Sequence, residues 1–367
     1  MKFGTYTFLV VILLSIFSCK KEPVPVSECI EGCMDSLALN YNPEATIENE
    51  SCLYFSNTPY VIETPYGFPN MNIPSDNPMT IEGVLLGEKL FKDPILSANN
   101  TQACINCHQQ NFSFSEPNQY STGIDNIQGT RNASALINIG WNTSFNWDGS
   151  SLTLEKQAFE PITNQIEMHN SWNNVESELN SHTDYPTLFK EAFDIDYIDS
   201  NHVVKAIAQF ERTLISANSK LDRYLNNEEQ LTISELNGYA IFNTEKGDCF
   251  HCHASQLFMD NQFHNNGLDI EPFLDLGRSK VTLNALDNGK FKTPTLRNIE
   301  MSAPYMHDGR FATLEEVVEH YDSGGKYSTT VDPLMKKLGI GLQLTNQEKI
   351  DLVAYLKTLT DHEFITQ

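Results

Sequence analysis

Two stretches of the chain share one order of residues, Cys104-Ile-Asn-Cys107-His108 and Cys249-Phe-His-Cys252-His253, 145 positions apart. Two thiols three residues apart on one helical turn can each add to a vinyl group of a single porphyrin, and the side chain that follows then reaches the iron. The pair of motifs therefore points to two covalent c-type haems. Cys104 and Cys107 would carry the first with His108 on its iron, and Cys249 and Cys252 the second with His253 on its iron. A zinc site built from two knuckles and a thioredoxin-like redox pair are the competing chemistries for such cysteines. Neither accounts for a His directly after each pair, and zinc knuckles rarely lie so far apart.

These motifs need helices to hold them. Apolar residues recur at helical spacing at Val84, Gly87, Leu90 and Phe91 ahead of the first motif, and at Leu236, Ala240 and Ile241 ahead of the second. Thr232-Ile-Ser-Glu235 reads as a capping box for that second helix. Each half also closes on an amphipathic helix, with Val203, Ile207, Phe210 and Leu214 on one face in the first, and Leu352, Leu356 and Leu359 in the second after the capping box Thr345-Asn-Gln-Glu348. Helix, motif, loops and closing helix thus occur twice. That layout predicts a mainly α fold of two tandemly duplicated cytochrome c-type domains, residues 80–220 and 221–367, and strand signals are sparse throughout. Ahead of them, Pro59, Pro65, Pro69, Pro74 and Pro78 predict an extended linker or wrapping arm over residues 58–79.

At the N-terminus Lys2 precedes an apolar run, Phe8 to Leu14, too short to span a bilayer and of signal-peptide form, so residues 1–18 are read as a signal. The small residue and Cys19 that end it resemble a bacterial lipobox, which would make Cys19 the lipid-bearing first residue of an exported lipoprotein facing the periplasm and anchored to the inner or outer membrane. Ordinary cleavage with a free Cys19 is the alternative. Residues 19–57 would form a small module. Its Cys33-to-Cys52 stretch resembles a short Cys-bracketed module of exported proteins, and that resemblance implies a Cys33–Cys52 disulfide, leaving Cys29 without an intramolecular partner. The formal charge of −24 argues against nucleic acid and favours a basic partner surface such as that of a small cytochrome c.

Between and around the motifs the chain resembles the bacterial di-haem cytochrome c peroxidase family, and within it the MauG-like branch. The resemblance runs from about Leu86 to Asp361 and rests on Leu86-Gly-Glu-Lys-Leu-Phe91, Arg131-Asn132, Trp147-Asp148-Gly149, Leu154-Glu-Lys-Gln157, Pro161, Glu167-Met168, Phe291-Lys-Thr-Pro-Thr-Leu-Arg297-Asn298 and Ala303-Pro-Tyr-Met-His307-Asp-Gly309. It implies an open, peroxide-reacting haem at His108 with Glu167 on its distal side as the proton-transfer group, Gln157 and Pro161 lining the same pocket, and Trp147 placed between the haems for electron transfer. A lone Glu is ordinarily a solvated helix residue and a lone Trp ordinarily core packing, so both roles rest on the motifs. The resemblance further implies calcium between the haems, held by Asn132 with Ser302 and Pro304.

The distal ligand of the second haem separates the branches. Fourteen residues beyond His307, where ordinary peroxidases of this family place a Met, this chain has Tyr321, as the MauG-like branch does, with His320 and Met306 as nearby alternatives. Adjacent helical residues point about 100° apart, so His320 and Tyr321 cannot both face one iron. In the first half, the loop from Glu116 to Thr130 contains no His, whereas peroxidases that rest in a closed form use one there. Two further departures bear on loop shape: no proline follows Arg131-Asn132, and no arginine follows Trp147-Asp-Gly. The remaining histidines, His169 and His264 among them, are read as surface or structural.

The function expected is reduction of hydrogen peroxide with electrons from a small cytochrome c or another periplasmic donor. A MauG-like oxidase that modifies a partner protein and a non-catalytic, membrane-tethered electron carrier are the alternatives. Relatives are often dimers, which leaves a homodimer open.

Overall fold

The computed structural model describes residues 29–35, 38, 41–49, 51–52 and 58–366. The signal segment and Cys19 lie outside them. The chain divides into two compact units, Met1–Leu53 and Tyr54–Gln367. In the first unit β1 (Glu31–Gly32) pairs in parallel with β2 (Ile47–Glu48), Cys33 is bonded to Cys52, and Cys29 is exposed with a free thiol.

The second unit is helical. In chain order it contains α1 (Ile81–Lys92), α2 (Cys104–Cys107), α3 (Leu154–Thr163), α4 (Trp172–Ser181), α5 (Tyr185–Phe193), α6 (Ser200–Glu211), α7 (Lys220–Leu225), α8 (Ile233–Phe242), α9 (Ser279–Thr282), α10 (Leu314–Asp322), α11 (Asn346–Lys357) and α12 (His362–Thr366). Its described strands are β3 (Phe263–His264) and β4 (Phe291–Lys292), an antiparallel pair. None of the described helices is long and apolar enough to cross a membrane.

Glycine sets the two main helix crossings. α1 lies against α6 so closely at Gly87 that an added Cβ would sit 1.9 Å from the Ala206 carbonyl oxygen, and α8 meets α11 at Gly238, where it would sit 2.0 Å from that of Asp351. This second contact corrects the sequence reading of α8. Its buried face is Gly238, Ile241 and Phe242, whereas Leu236 and Ala240 are exposed, because the approach of α11 fixes which side faces inward. Thr80 caps α1, and Thr232 and Thr345 cap α8 and α11 through full capping boxes. Leu214 and Leu359 are buried as expected of a closing face, but both lie beyond the ends of their helices.

Two hydrophobic clusters result, one drawn from Leu86 to Leu214 and one from Leu221 to Leu359. A third, small cluster joins Phe68 and Trp141 to Leu257 and Met259. The proline-rich stretch is therefore a strap rather than a free linker: Phe68 packs edge-on to Trp141 at 5.1 Å, and the Trp141 indole N–H donates to the Pro69 carbonyl at 2.7 Å.

Between Asn138 and Thr163 the backbone runs through a sequence of features that returns 160 positions later. Asn138 and Asn298 both take a left-handed φ of 54° ahead of a short 3-10 turn. Bridges then close Phe145 to Ser151 and Tyr305 to Phe311, and Thr153 and Thr313 cap α3 and α10. The two repeats grip each other reciprocally, since the Asn132 N–H donates to the His307 carbonyl at 2.8 Å and the Lys292 N–H to the Trp147 carbonyl at 2.8 Å.

Candidate active site

Both motifs present their histidine in one way. His108 Nδ1 lies 2.9 Å from the Phe114 carbonyl oxygen, and His253 Nδ1 lies 2.8 Å from that of Phe258. Each acceptor residue has a left-handed φ, 56° at Phe114 and 51° at Phe258, which turns its carbonyl toward the ring. A proton held on Nδ1 by a carbonyl leaves Nε2 as the free lone pair, the arrangement a metal-ligating His needs. Burial also lowers the pKa of both imidazoles and so favours the neutral, ligating form.

The thiols separate the competing chemistries. Burial pushes Cys104, Cys249 and Cys252 up to about 12 and Cys107 to about 11, the opposite of what a thioredoxin-like nucleophile requires. Cys104 packs against the first hydrophobic cluster and Cys249 against the second. Among the described residues, no metal-sized group combines cysteines of the two motifs, so a shared zinc site is not formed. Two separate Cys-x-x-Cys-His turns, each with a neutral His in an apolar setting, fit two thioether-bound haems.

From the second motif a cavity of about 290 Å³ extends past His253 and Tyr321 to Trp147 and Asn132. Gln157, Ser302 and Pro304 line it too, so Gln157, expected beside Glu167 and Pro161, is instead placed with Trp147 on a cavity that neither of those two lines. Trp147 is fixed at both ends: its indole N–H donates to the Asn132 carbonyl at 2.8 Å and its own carbonyl accepts from Lys292. The turn that follows is clamped by two guanidinium groups. Arg131 pairs with Asp148 and Asp275, both at 2.6 Å, and Arg278 Nη1 donates to the carbonyls of Asp148 and Gly149 at 2.9 Å. Arg278 thus supplies from another element the guanidinium missing after Trp147-Asp-Gly. Asn132 donates its Nδ2 to the Asn118 and Gln119 carbonyls, which leaves Oδ1 as its acceptor for a cation.

Tyr321 lies within electrostatic reach of Cys249 and Cys252, and burial first, then those thiols, pushes its phenol up to about 12. Asn266 Nδ2 donates to its hydroxyl at 3.2 Å and approaches Met306 Sδ at 3.6 Å, which places one amide between two of the candidate distal ligands. His320 is turned elsewhere, its Nε2 3.0 Å from the Asn266 carbonyl oxygen. Nothing in the sequence singled out Asn266; it is one of many Asn in loops and matters only because β3 delivers it to α10.

Glu167 sits apart from that cavity, on the side of the first motif, where it acts electrostatically on Cys104 and Cys107. Burial raises its pKa, and the Asn164 amide, donating at 2.6 Å, counters part of the rise. The histidine-free loop packs directly on this segment: the Ile124 N–H donates to the Glu167 carbonyl at 3.0 Å, and a Cβ on Gly123 would lie 2.2 Å from the Ile166 carbonyl oxygen. His169 is exposed and faces Asp125. Burial of a carboxyl favours its protonated form relative to an exposed one, which suits it to exchange a proton in general acid–base work.

Comparison with known proteins agrees with these features. The profile of the family described as di-haem cytochrome c peroxidase matches residues 81–230. The chain is 37% identical over 290 residues to the methylamine utilization protein MauG of Methylorubrum extorquens, covering 78% of this chain and 80% of that one. It is 34% identical over 298 residues to the cytochrome c551 peroxidase of Nitrosomonas europaea, covering 80% and 84%. A crystal structure of a MauG-like protein associated with microbial copper homeostasis superposes with a TM-score of 0.79 at 35% identity, covering 84% of this chain and 97% of that one.

Proposed function

This chain belongs to the di-haem cytochrome c peroxidase family, and on that premise we propose that it reduces hydrogen peroxide to water, taking two electrons from a periplasmic donor and two protons from the solvent. The observation that carries this reading is the inequality of the two motifs' surroundings: a half-buried carboxyl, Glu167, beside the first, and a half-buried phenol, Tyr321, beside the second. When bound, the haems supply the redox equivalents for cleaving the O–O bond.

The protein's own part is positional and protonic. His108 and His253 would each bind one haem iron through Nε2, their Nδ1 being held by a backbone carbonyl. Glu167 takes the proton from the incoming peroxide oxygen and returns it to the departing one, with Asn164 fixing the carboxyl's orientation. Trp147, held rigid by Asn132 and Lys292, stands in the shared cavity as the electron relay, and Gln157 lines the same space. Tyr321 would be the further ligand of the second haem's iron, and the Asn266 amide that donates to its oxygen would favour the phenolate. Asn132, with the carbonyls of Ser302 and Pro304, would hold a calcium ion in that cavity. Export, lipid attachment at Cys19 and electron delivery by a small basic cytochrome complete the reading, the last favoured by the charge of −24.

Tyr321 favours a second reading. A phenolate ligand stabilises oxidised iron, which suits an enzyme that stores oxidising equivalents and spends them on a partner protein, as in the MauG-like branch. Stopped-flow mixing of the holoprotein with peroxide, followed by steady-state turnover with reduced cytochrome c, tests both. Sustained turnover supports the peroxidase. Rapid reaction with peroxide but negligible turnover supports the partner-modifying oxidase, and no reaction with peroxide leaves only an electron carrier.

A further inference from the structure

Lys292 is a cation lining the shared cavity whose charge the mechanism leaves unexplained. It lies on β4, its N–H bonded to the Trp147 carbonyl, and its side chain faces the cavity also lined by Cys249, Cys252, His253 and Tyr321. Burial alone lowers its pKa, to about 8; among the described residues Nζ has neither an ion pair nor a hydrogen bond. That is unusual in a chain with 48 acidic residues against 24 Lys and Arg. Other enclosed cations here have carboxylates: Arg131 has Asp148 and Asp275, Arg212 has Glu155, and Arg297 has Asp222. An isolated ammonium in a low-dielectric setting is costly unless an anion meets it.

The register of the two repeats says which anion. Lys292 matches Asn132, 160 positions earlier, and the two make the reciprocal backbone bonds to His307 and Trp147. Where the first half offers a neutral oxygen suited to a cation, the second half brings a cation of its own. Two residues after Lys292, the Pro294 backbone faces the His253 ring, as Ser134 faces that of His108, so β4 leads into the surroundings of the second motif and not the first. The anion a haem brings to such a place is its propionate.

We infer that the Lys292 ammonium is the counter-ion of a propionate of the haem carried by Cys249 and Cys252, a positioning residue that anchors this haem and raises its reduction potential. The inference rests on the two-haem reading given above. Neutralising a carboxylate next to the porphyrin disfavours the oxidised, more positive iron, so removing the ammonium lowers the potential.

The test is an optical redox titration of the wild-type holoprotein, Lys292→Met and Lys292→Arg, each first assayed by pyridine haemochrome for haem per chain. Fewer than two haems in the wild type would defeat the functional reading rather than this inference. With two present, the expected result is a second-haem reduction equilibrium weakened roughly tenfold or more in Lys292→Met, near wild type in Lys292→Arg, with the first haem unmoved. Loss of the second haem from the Met variant but not the Arg variant also supports the anchor. No shift, an equal shift or equal haem loss in both variants, or a shift confined to the first haem overturns it. So does a wild-type potential that moves with added inorganic phosphate as far as the Met substitution moves it, which would assign Lys292 to a solvent anion.

Discussion

Pro161 and Tyr321 are each the eighth residue of a threonine-capped helix, α3 in the first half and α10 in the second, 160 positions apart. At that place proline has no atom to give an iron, whereas tyrosine has a phenol, half-buried and hydrogen-bonded to Asn266. The halves agree in everything that holds a haem: the Cys-x-x-Cys-His turn, the carbonyl beneath the His ring, and the Gly-mediated crossing of two helices. They differ at a few positions that decide what the haem can do. Trp147 stands where His307 stands, Asn132 where Lys292 does, and Glu211 on α6 where Leu356 lies on α11. One frame used twice thus places a carboxyl beside the first motif and a phenol beside the second.

The sharpest way to break the comparison is to remove what the second half lacks. Glu167→Gln keeps the size and the Asn164 contact but cannot move a proton, and it should slow the reaction with peroxide by about 10²–10⁴-fold in stopped flow, with haem content unchanged. Because burial raises the Glu167 pKa and the ionised carboxylate is the proton acceptor, the wild-type rate should fall as pH drops through that raised value. The Gln variant should lack that limb, and a wild-type profile retained in it would remove Glu167 from the mechanism.

A second test makes the halves alike. Pro161→Met gives the first half a thioether at the Tyr321 position, so its haem should acquire a second axial ligand and its peroxide reaction should slow, roughly tenfold or more. An unchanged rate and spectrum would mean that residue 161 does not face the iron.

Glu211 gives a smaller effect. This carboxyl is fully buried, and burial above all pushes it up to about 8 from 4.5. The folded protein then binds a proton that the unfolded chain releases, so the stabilisation is complete below about pH 4.5 and is lost as pH rises through about 8. Glu211→Gln should flatten that decline, recovering on the order of a few kcal/mol at pH 8 in denaturant unfolding, and should leave the second-haem spectrum alone. Parallel pH profiles for the two proteins would contradict it.

What could be read from sequence was local. The haem motifs were legible because covalent attachment demands contiguous residues, and α8 and α11 because a capping box is written within four positions. The inward face of α8 was misread because Gly238, not Leu236, meets α11, and that choice is made by a helix more than 100 residues away. Asn266 beside Tyr321, Arg278 on the Trp147 turn and the unpaired Lys292 gave no local signal either, since each owes its meaning to a partner brought by another element. The roles expected of Glu167, Trp147 and Tyr321 came from family resemblance, and spacing alone would have left them as a surface Glu, a core Trp and a helix Tyr. The strap from Thr58 to Met79 was visible as proline-rich, but its grip on Trp141 was not.

Low-temperature EPR of the fully oxidised holoprotein, without prior reduction, addresses the inequality of the two haems most directly. One high-spin ferric signal from an open first haem, lost on adding peroxide, together with one low-spin signal from the second haem, is the result expected of Pro161 and Glu167 on one side and Tyr321 on the other. Two low-spin, six-coordinate signals that peroxide leaves unchanged would contradict it.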